Sequence, residues 1–362
     1  GMKILFLAPQ PFFQERGTPI AVRLALQVLA TRLQSKKAQS AIEQIDLLTY
    51  SEGSDVTLPG VTIYRTPDLK ICKGIGPGIS IKKLICDFFF LCKALSLVWQ
   101  NRGSQYDLVH AVEESVFMAC IIKFFFRIPF IYDMDSSMSL QITEKWPVLT
   151  PLLGIFEFFE RIAVRQSMAV VPVCDALAVI AEKHGSPDTH ILRDISLLNT
   201  ESPAGSQKGL RAELGVPLNA KVVIYIGNLE HYQGIDLLID SFALISASAP
   251  DAHLVIIGGS KEHIDLYRRK VSKLDCASKI HIAGTRPVEK MGEYLSAADI
   301  VTSPRTRGNN TPMKIYSYIH CGKPLLATNL PTHSQVLDNN VALLCEPTPE
   351  AFSKGLIRLL AD

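Results

Sequence analysis

Gly227-Asn-Leu-Glu-His-Tyr-Gln-Gly234 joins an apolar run, Val222-Val-Ile-Tyr-Ile226, to an amphipathic stretch that begins at Ile235. Glycines at both ends let backbone amides approach an anion, and a helix start adds a favourable dipole, so the chemistry on offer is anion binding. The same pattern also makes a tight strand-to-helix turn with no ligand. His231 is the imidazole inside this loop and can place partial positive charge beside an anion. Further on, Ser303-Pro-Arg-Thr-Arg-Gly-Asn-Asn310 carries Arg305 and Arg307, and Lys314 follows in a helical stretch that Thr311 is placed to cap. These cations are either partners for the same anion or solvated charges. In the first half, Asp133 and Asp135 close the run Phe130-Ile-Tyr-Asp133. Two acids at that spacing hold hydroxyl groups, assist proton transfer or cap the next helix. His110, Glu113 and Glu114 end another apolar run and are candidates for binding a second substrate, with a satisfied core histidine as the other reading of His110.

Short apolar runs must position these residues. Lys3–Ala8, Ile45–Tyr50, Val61–Tyr64, Leu108–Val112, Phe130–Asp133 and Ala169–Val173 precede residue 200; Val222–Ile226, Leu254–Ile257, Ile280–Ala283, Ile300–Ser303, Pro324–Ala327 and Ala342–Cys345 follow it. Helical stretches separate them, which predicts an α/β fold of two doubly wound, Rossmann-like parallel sheets. The Ser/Pro/Gly-rich Thr200–Lys208 is the expected linker, dividing the chain into domains 1–200 and 201–362. Such sheets bind ligands beyond the carboxyl ends of their strands, so the expectation is a ligand in a cleft between the domains.

Composition narrows the function. With 362 residues, 48% hydrophobic and 20% charged, the chain is globular rather than disordered, and long enough for about two cores. Lys and Arg number 37 against 35 acids, and each half is balanced, so neither reads as a nucleic-acid-binding domain and no nucleic-acid partner is expected. Eight scattered cysteines without a C-x-x-C pair fit reduced thiols and a cytoplasmic location. Residues 79–100 and 116–132 are strongly apolar but interrupted by charges, so neither is expected to span a membrane. Residues 65–93 carry six cations and two acids beside Phe88-Phe-Phe90. That helix either packs internally with solvated lysines or makes peripheral contact with an anionic membrane on its inner face.

The segment Gly227–Gly234 resembles the "G-R-L, three residues, K-G" signature of the retaining group 1 glycosyltransferases, also called family 4-like, which have the GT-B architecture of two Rossmann-like domains. Leu254-Val-Ile-Ile-Gly-Gly259, Ile280-His-Ile-Ala-Gly284, Tyr294–Pro304 and Thr311-Pro-Met-Lys-Ile-Tyr-Ser-Tyr-Ile-His-Cys-Gly-Lys-Pro324 follow in family order. The last resembles the block "P-x-K, hydrophobic, E-Y, small residues, G-K-P". The first half is similar more loosely, through Met2–Pro9, Arg16-Gly-Thr18 and Tyr106-Asp-Leu-Val-His110.

The resemblance implies a transferase that moves a sugar from a nucleotide-diphosphate-sugar donor to a hydroxyl acceptor, glycan or lipid-linked, with retention and with no cofactor or metal. It places the donor in the second domain, with Gly284, Thr285 and Arg286 near the base, amides around Gly17, Thr18 and Gly234 at the diphosphate, and Thr311, Pro312, Met313 and Lys314 at the helix that follows. Asp133, Asp135 and His110 become the catalytic candidates, and Glu113 and Glu114 bind the acceptor. Several positions depart from the family. Its diphosphate-binding Arg and Lys are Asn228 and Gln233, and its two glutamates are Asn309 and Ser317. Arg305, Arg307, Lys314 and His231 are the substitutes on offer. The alternatives are a catalytically inactive relative serving as a binding or scaffolding subunit, or a GT-B epimerase or phosphorylase. The family ordinarily closes with a helix returning to the first domain, and here Leu359-Leu-Ala-Asp362 stands where that return is expected to begin.

Overall fold

The computed structural model describes residues 1–11, 42–53, 57–76, 78–194 and 207–362, with positions 22, 25, 26, 28 and 29. Gly17, Thr18 and residues 200–206 of the expected linker lie outside the described residues. The chain forms two units, Gly1–Arg193 and Asp194–Asp362.

Continuous apolar runs become strands buried on both faces, as parallel sheets covered by helices require. In the first unit these are β1 (Met2–Ala8), β2 (Ile42–Thr49), β3 (Val61–Arg65), β4 (Leu108–Val112), β5 (Phe130–Met134) and β6 (Ala169–Pro172). They pair in parallel in the order β3-β2-β1-β4-β5-β6. Five described helices belong to this sheet: α1 (Ile81–Gln100), α2 (Ser115–Phe126), α3 (Met138–Lys145), α4 (Leu153–Gln166) and α5 (Asp175–Lys183). The Ser80 hydroxyl accepts from the Lys83 amide and caps α1, whose inner face buries Cys86, Phe90, Ala94 and Leu97 against Val109 and Phe130 of the sheet.

The second unit repeats the plan with β7 (Lys221–Ile226), β8 (Ala252–Ile257), β9 (Ile280–Gly284), β10 (Ile300–Ser303), β11 (Leu325–Thr328) and β12 (Leu343–Cys345). Their parallel order is β12-β11-β10-β7-β8-β9. The helices are α6 (Gln207–Glu213), α7 (Ile235–Ile245), α8 (Lys261–Val271), α9 (Met291–Ser296), α10 (Lys314–His320), α11 (Pro331–Ser334) and α12 (Pro349–Ala361). Strand alternation divides the core. Val223 and Tyr225 pack with Phe242 and Phe352 on one face, while Val222, Ile224 and Ile226 pack with Leu295 and Tyr318 on the other.

Both sheets have the doubly wound order, in which strand order reverses beside the first strand and opens a crevice at the carboxyl ends. The reversal falls between β1 and β4 in one unit and between β7 and β10 in the other. Among the described residues no helix is long and apolar enough to cross a membrane. All eight cysteines are free; four are buried, three half-buried and Cys92 is exposed.

Candidate functional site

In the second unit the reversal point is built by the chain leaving β7 and β10. Gly234 adopts φ +76°, and a Cβ there would lie 1.8 Å from the Pro304 carbonyl oxygen, so a side chain at this position would separate the two loops. The Thr306 amide donates to the Tyr232 carbonyl at 2.9 Å, stitching the same loops together. Gly227 lies open to Lys314 from α10, whose Nζ would be 2.6 Å from a Cβ placed there. The ammonium donates to Gln233 Oε1 at 3.3 Å and sits 4.0 Å from the Tyr225 ring centroid. Burial and the nearby Arg305 hold Lys314 well below the ordinary lysine range, and among the described residues no carboxylate pairs with it.

Arg305 is buried, whereas Lys314 is half-buried. Its guanidinium lies 5.0 Å from the Tyr232 ring centroid and donates to the Asn310 carbonyl at 3.0 Å and to Thr332 Oγ1 at 3.3 Å. Behind it stands His333, fully buried, with Nδ1 donating to the Thr328 carbonyl at 2.8 Å and Nε2 accepting from the Ser303 hydroxyl at 2.7 Å. Burial pushes His333 down to about 4, so the imidazole is a neutral tie between the ends of β10 and β11. The Gly227 and Gly234 amides donate to the Ile257 and His231 carbonyls, so the chemistry available here is anion capture by the side chains of Lys314 and Arg305.

The other donor-side residues fall around this centre unevenly. Asn228 turns inward to its own loop, its Oδ1 accepting from the Glu230 amide at 3.1 Å. The Gly258 amide donates to the Gly284 carbonyl and Thr285 Oγ1 donates to the Gly259 carbonyl, both at 2.8 Å, so the loops after β8 and β9 lie side by side. The Asn309 carbonyl accepts from Gln335 Nε2, and Ser317 is buried within α10. Pro312 and Met313 form the turn into α10, where Met313 occupies the cap position.

Four expectations change here. Thr311 does not cap α10; it lies two residues too early, and its hydroxyl is buried without a partner. Arg286 is gripped by Glu213 of α6 through two hydrogen bonds of 2.7 and 2.9 Å, which occupies the fork expected at the base. His231 is 80% exposed, with its ring 3.6 Å from Asp236, so it faces an acid that enters with α7 rather than an enclosed anion site. Arg307 is exposed, unlike its neighbour Arg305.

In the first unit, His110 on β4 stacks on Phe6 of β1 at 4.2 Å between centroids, and its Nε2 bonds Asp133 Oδ2 at 2.8 Å. Both remain partly open, at 18% and 22% exposure, so His110 is no closed-in core histidine. Glu113 follows β4 with φ +52°, a left-handed backbone for a residue with a Cβ. Its Oε2 accepts from Ser136 Oγ at 2.8 Å, while Oε1 is buried with no partner. Burial pushes this carboxyl up to about 7 against the opposing Ser136 bond and Lys83 charge, so it exchanges a proton near neutrality. The capping alternative for Asp133 and Asp135 falls: α3 starts after Ser137, and its first amide donates to buried Glu160.

Glu114 corrects another expectation. Its carboxylate pairs with buried Lys83, which also donates to the Pro9 carbonyl at 2.6 Å, so Glu114 ties α1 to the ends of β1 and β4 rather than facing a substrate. Sequence reading counted Lys83 among the solvated or membrane-facing cations of residues 65–93, whereas it is buried and paired, and passed over Glu160 and His333; only the topology brings their partners within reach. Gly258 and Gly259, directly after an apolar run, did carry a local signal. Among the described residues no three His, Cys, Asp or Glu side chains converge on one point.

Comparison with known proteins bears on both units. Residues 206–362 match the family model described as glycosyl transferases group 1. A D-inositol 3-phosphate glycosyltransferase of Corynebacterium glutamicum is 28% identical over 178 residues, 47% of this chain and 42% of that protein. The chain thus spans less than half the length of that relative. Sucrose-phosphate synthase of Thermosynechococcus elongatus superimposes with a TM-score of 0.76 at 19% identity, covering 100% of this chain and 90% of the other. Anabaena HepE, solved with UDP and glucose, superimposes at 0.70 with 16% identity and covers 100% and 90%. These likenesses establish that both units share the GT-B fold.

Proposed function

We propose that this chain, whose residues 206–362 match the model of the group 1 glycosyl transferases, moves a sugar from a nucleotide-diphosphate-sugar donor to a hydroxyl acceptor. The observation that carries the reading is Lys314, a half-buried ammonium with no carboxylate partner among the described residues, set against Gly227 beside Arg305. A diphosphate there supplies the missing counter-charge. The two cations take the place of the family's Arg and Lys at 228 and 233, which weakens the scaffolding alternative drawn from those substitutions.

In the reaction the bond from the sugar's anomeric carbon to the diphosphate oxygen breaks, and a bond from the same carbon to the acceptor oxygen forms. Lys314 and Arg305 stabilise the charge left on the diphosphate. In the first unit, Glu113 and the His110–Asp133 pair hold the acceptor hydroxyl, and Glu113 takes its proton, being the acid poised near neutrality. Retention, independence of metal, a glycan or lipid-linked acceptor, a cytoplasmic location and peripheral membrane contact through residues 65–93 belong to the same proposal. HepE, which binds UDP and glucose, makes a uridine nucleotide the first donor to try.

A thermal-shift panel of UDP-, GDP-, ADP- and dTDP-sugars tests it. One nucleotide class should raise the melting temperature in a concentration-dependent way, and stabilisation by none of them would defeat the reading.

A further inference from the structure

The described residues leave 25 large apolar side chains exposed, and they are unevenly placed. Fourteen lie between Ile81 and Met168, whereas only six belong to residues 207–362. The reason is in the helix layer over one face of the first sheet. Helices α1, α2 and α4 all send their inner faces into one core cluster, and neighbours along the layer touch. Lys123 of α2 donates to the Gln166 carbonyl at the end of α4, and Trp99 of α1 meets Phe126 of α2 edge-on at 6.4 Å.

The outer faces are then apolar where solvent should select polar residues. Phe88 is 63% exposed, Trp99 57%, Phe124 80%, Phe125 70%, Phe158 54% and Phe159 51%. Exposed aromatic surface on this scale along one helix layer marks an interaction site. Charge identifies the occupant. Over 81–100, 115–127 and 152–166 the cations reaching the surface are Lys82, Lys93, Lys123, Arg127, Arg161 and Arg165, against Glu157 alone. The remaining charges there, Lys83, Asp87 and Glu160, are buried. Six cations less one acid leave the face at +5, although the whole chain carries only +2. Two copies meeting through such faces would repel, whereas an anionic bilayer offers hydrocarbon for the aromatic rings and phosphate for the cations.

We propose that the outer face of α1, α2 and α4 is a docking surface for an anionic lipid bilayer. It extends the contact proposed for residues 65–93, most of whose cations lie outside it, and does not depend on sugar transfer. Docking through this face leaves the nucleotide crevice of the second unit chemically untouched.

Flotation of the full chain with phosphatidylcholine vesicles, with and without phosphatidylglycerol, tests the proposal. The chain should float only with the anionic vesicles. Phe124→Ser/Phe125→Ser and Arg127→Glu/Arg161→Glu should each weaken binding about tenfold without changing the nucleotide-induced thermal shift. Absence of flotation, equal binding to neutral vesicles, or unchanged binding by both variants would overturn it. Self-association of the wild type that both variants abolish would also overturn it, giving the face to a second copy. Persistence or loss of the nucleotide shift reports separately on the transferase reading.

Discussion

Glu113 concentrates the features that a functional carboxylate needs: a left-handed backbone, one oxygen held by Ser136, the other buried and unpaired, and a proton affinity raised to about 7. A raised acid is linked to stability with a definite sign. The contribution is fully present below the ordinary value of 4.5 and is lost as pH climbs through 7, up to about 3 kcal/mol. Glu113→Gln should therefore stabilise the fold relative to wild type by an amount that grows between pH 4 and pH 8, as followed by urea unfolding. The acid-side loss from His333 is common to both chains and cancels. A gain that is the same at both pH values would show that Glu113 does not titrate in the fold. If Glu113 also accepts the acceptor's proton, the variant's turnover falls while donor binding holds. Chain reading reached Glu113 from its place after an apolar run. It also chose Glu114, because adjacent acids look alike until Lys83 claims one of them.

Elements were the most legible scale. Twelve apolar runs became twelve strands among the described residues, because burial on both faces of a parallel sheet leaves a signature too long and too apolar to miss. Turns carried less. Thr311 looked like a cap, yet α10 begins later, at Lys314, since Pro312 and Met313 complete the preceding turn. Glycine at 234 was legible, and its reason is sharper than a loose helix start: there is room for backbone only, against Pro304. Gly234→Ala should accordingly lower unfolding free energy by more than ~1 kcal/mol and abolish the nucleotide thermal shift, because the new methyl separates the loops after β7 and β10. An unaltered melting temperature would mean that the loops yield at no cost and that their close approach is incidental.

At the scale of the whole molecule, near-neutral net charge conceals a division of labour. The fold gathers cations in two settings, Lys314 and Arg305 at the reversal point of the second sheet and six spread across one helix layer of the first. Neither grouping is visible in a count of 37 bases against 35 acids, since Lys314 and Arg305 meet only through β10 and α10, and Phe88, Phe125 and Phe158 only through three separate helices. The two-unit α/β plan was readable from alternation alone; Arg305, Arg307, Lys314 and His231 were all on offer in sequence as substitutes for the two family cations, and of the four the fold brings Lys314 and Arg305 together.

The central claim is that Lys314 holds the donor's diphosphate. The direct measurement is calorimetric titration of wild type and Lys314→Met with the nucleoside diphosphate of whichever sugar donor stabilises the chain most. One charge-assisted contact contributes about 1.5–3 kcal/mol, so the variant should bind roughly ten- to a hundredfold more weakly while its melting temperature without nucleotide stays level or rises, a half-buried charge having been removed. Equal affinity in the two proteins would contradict the account.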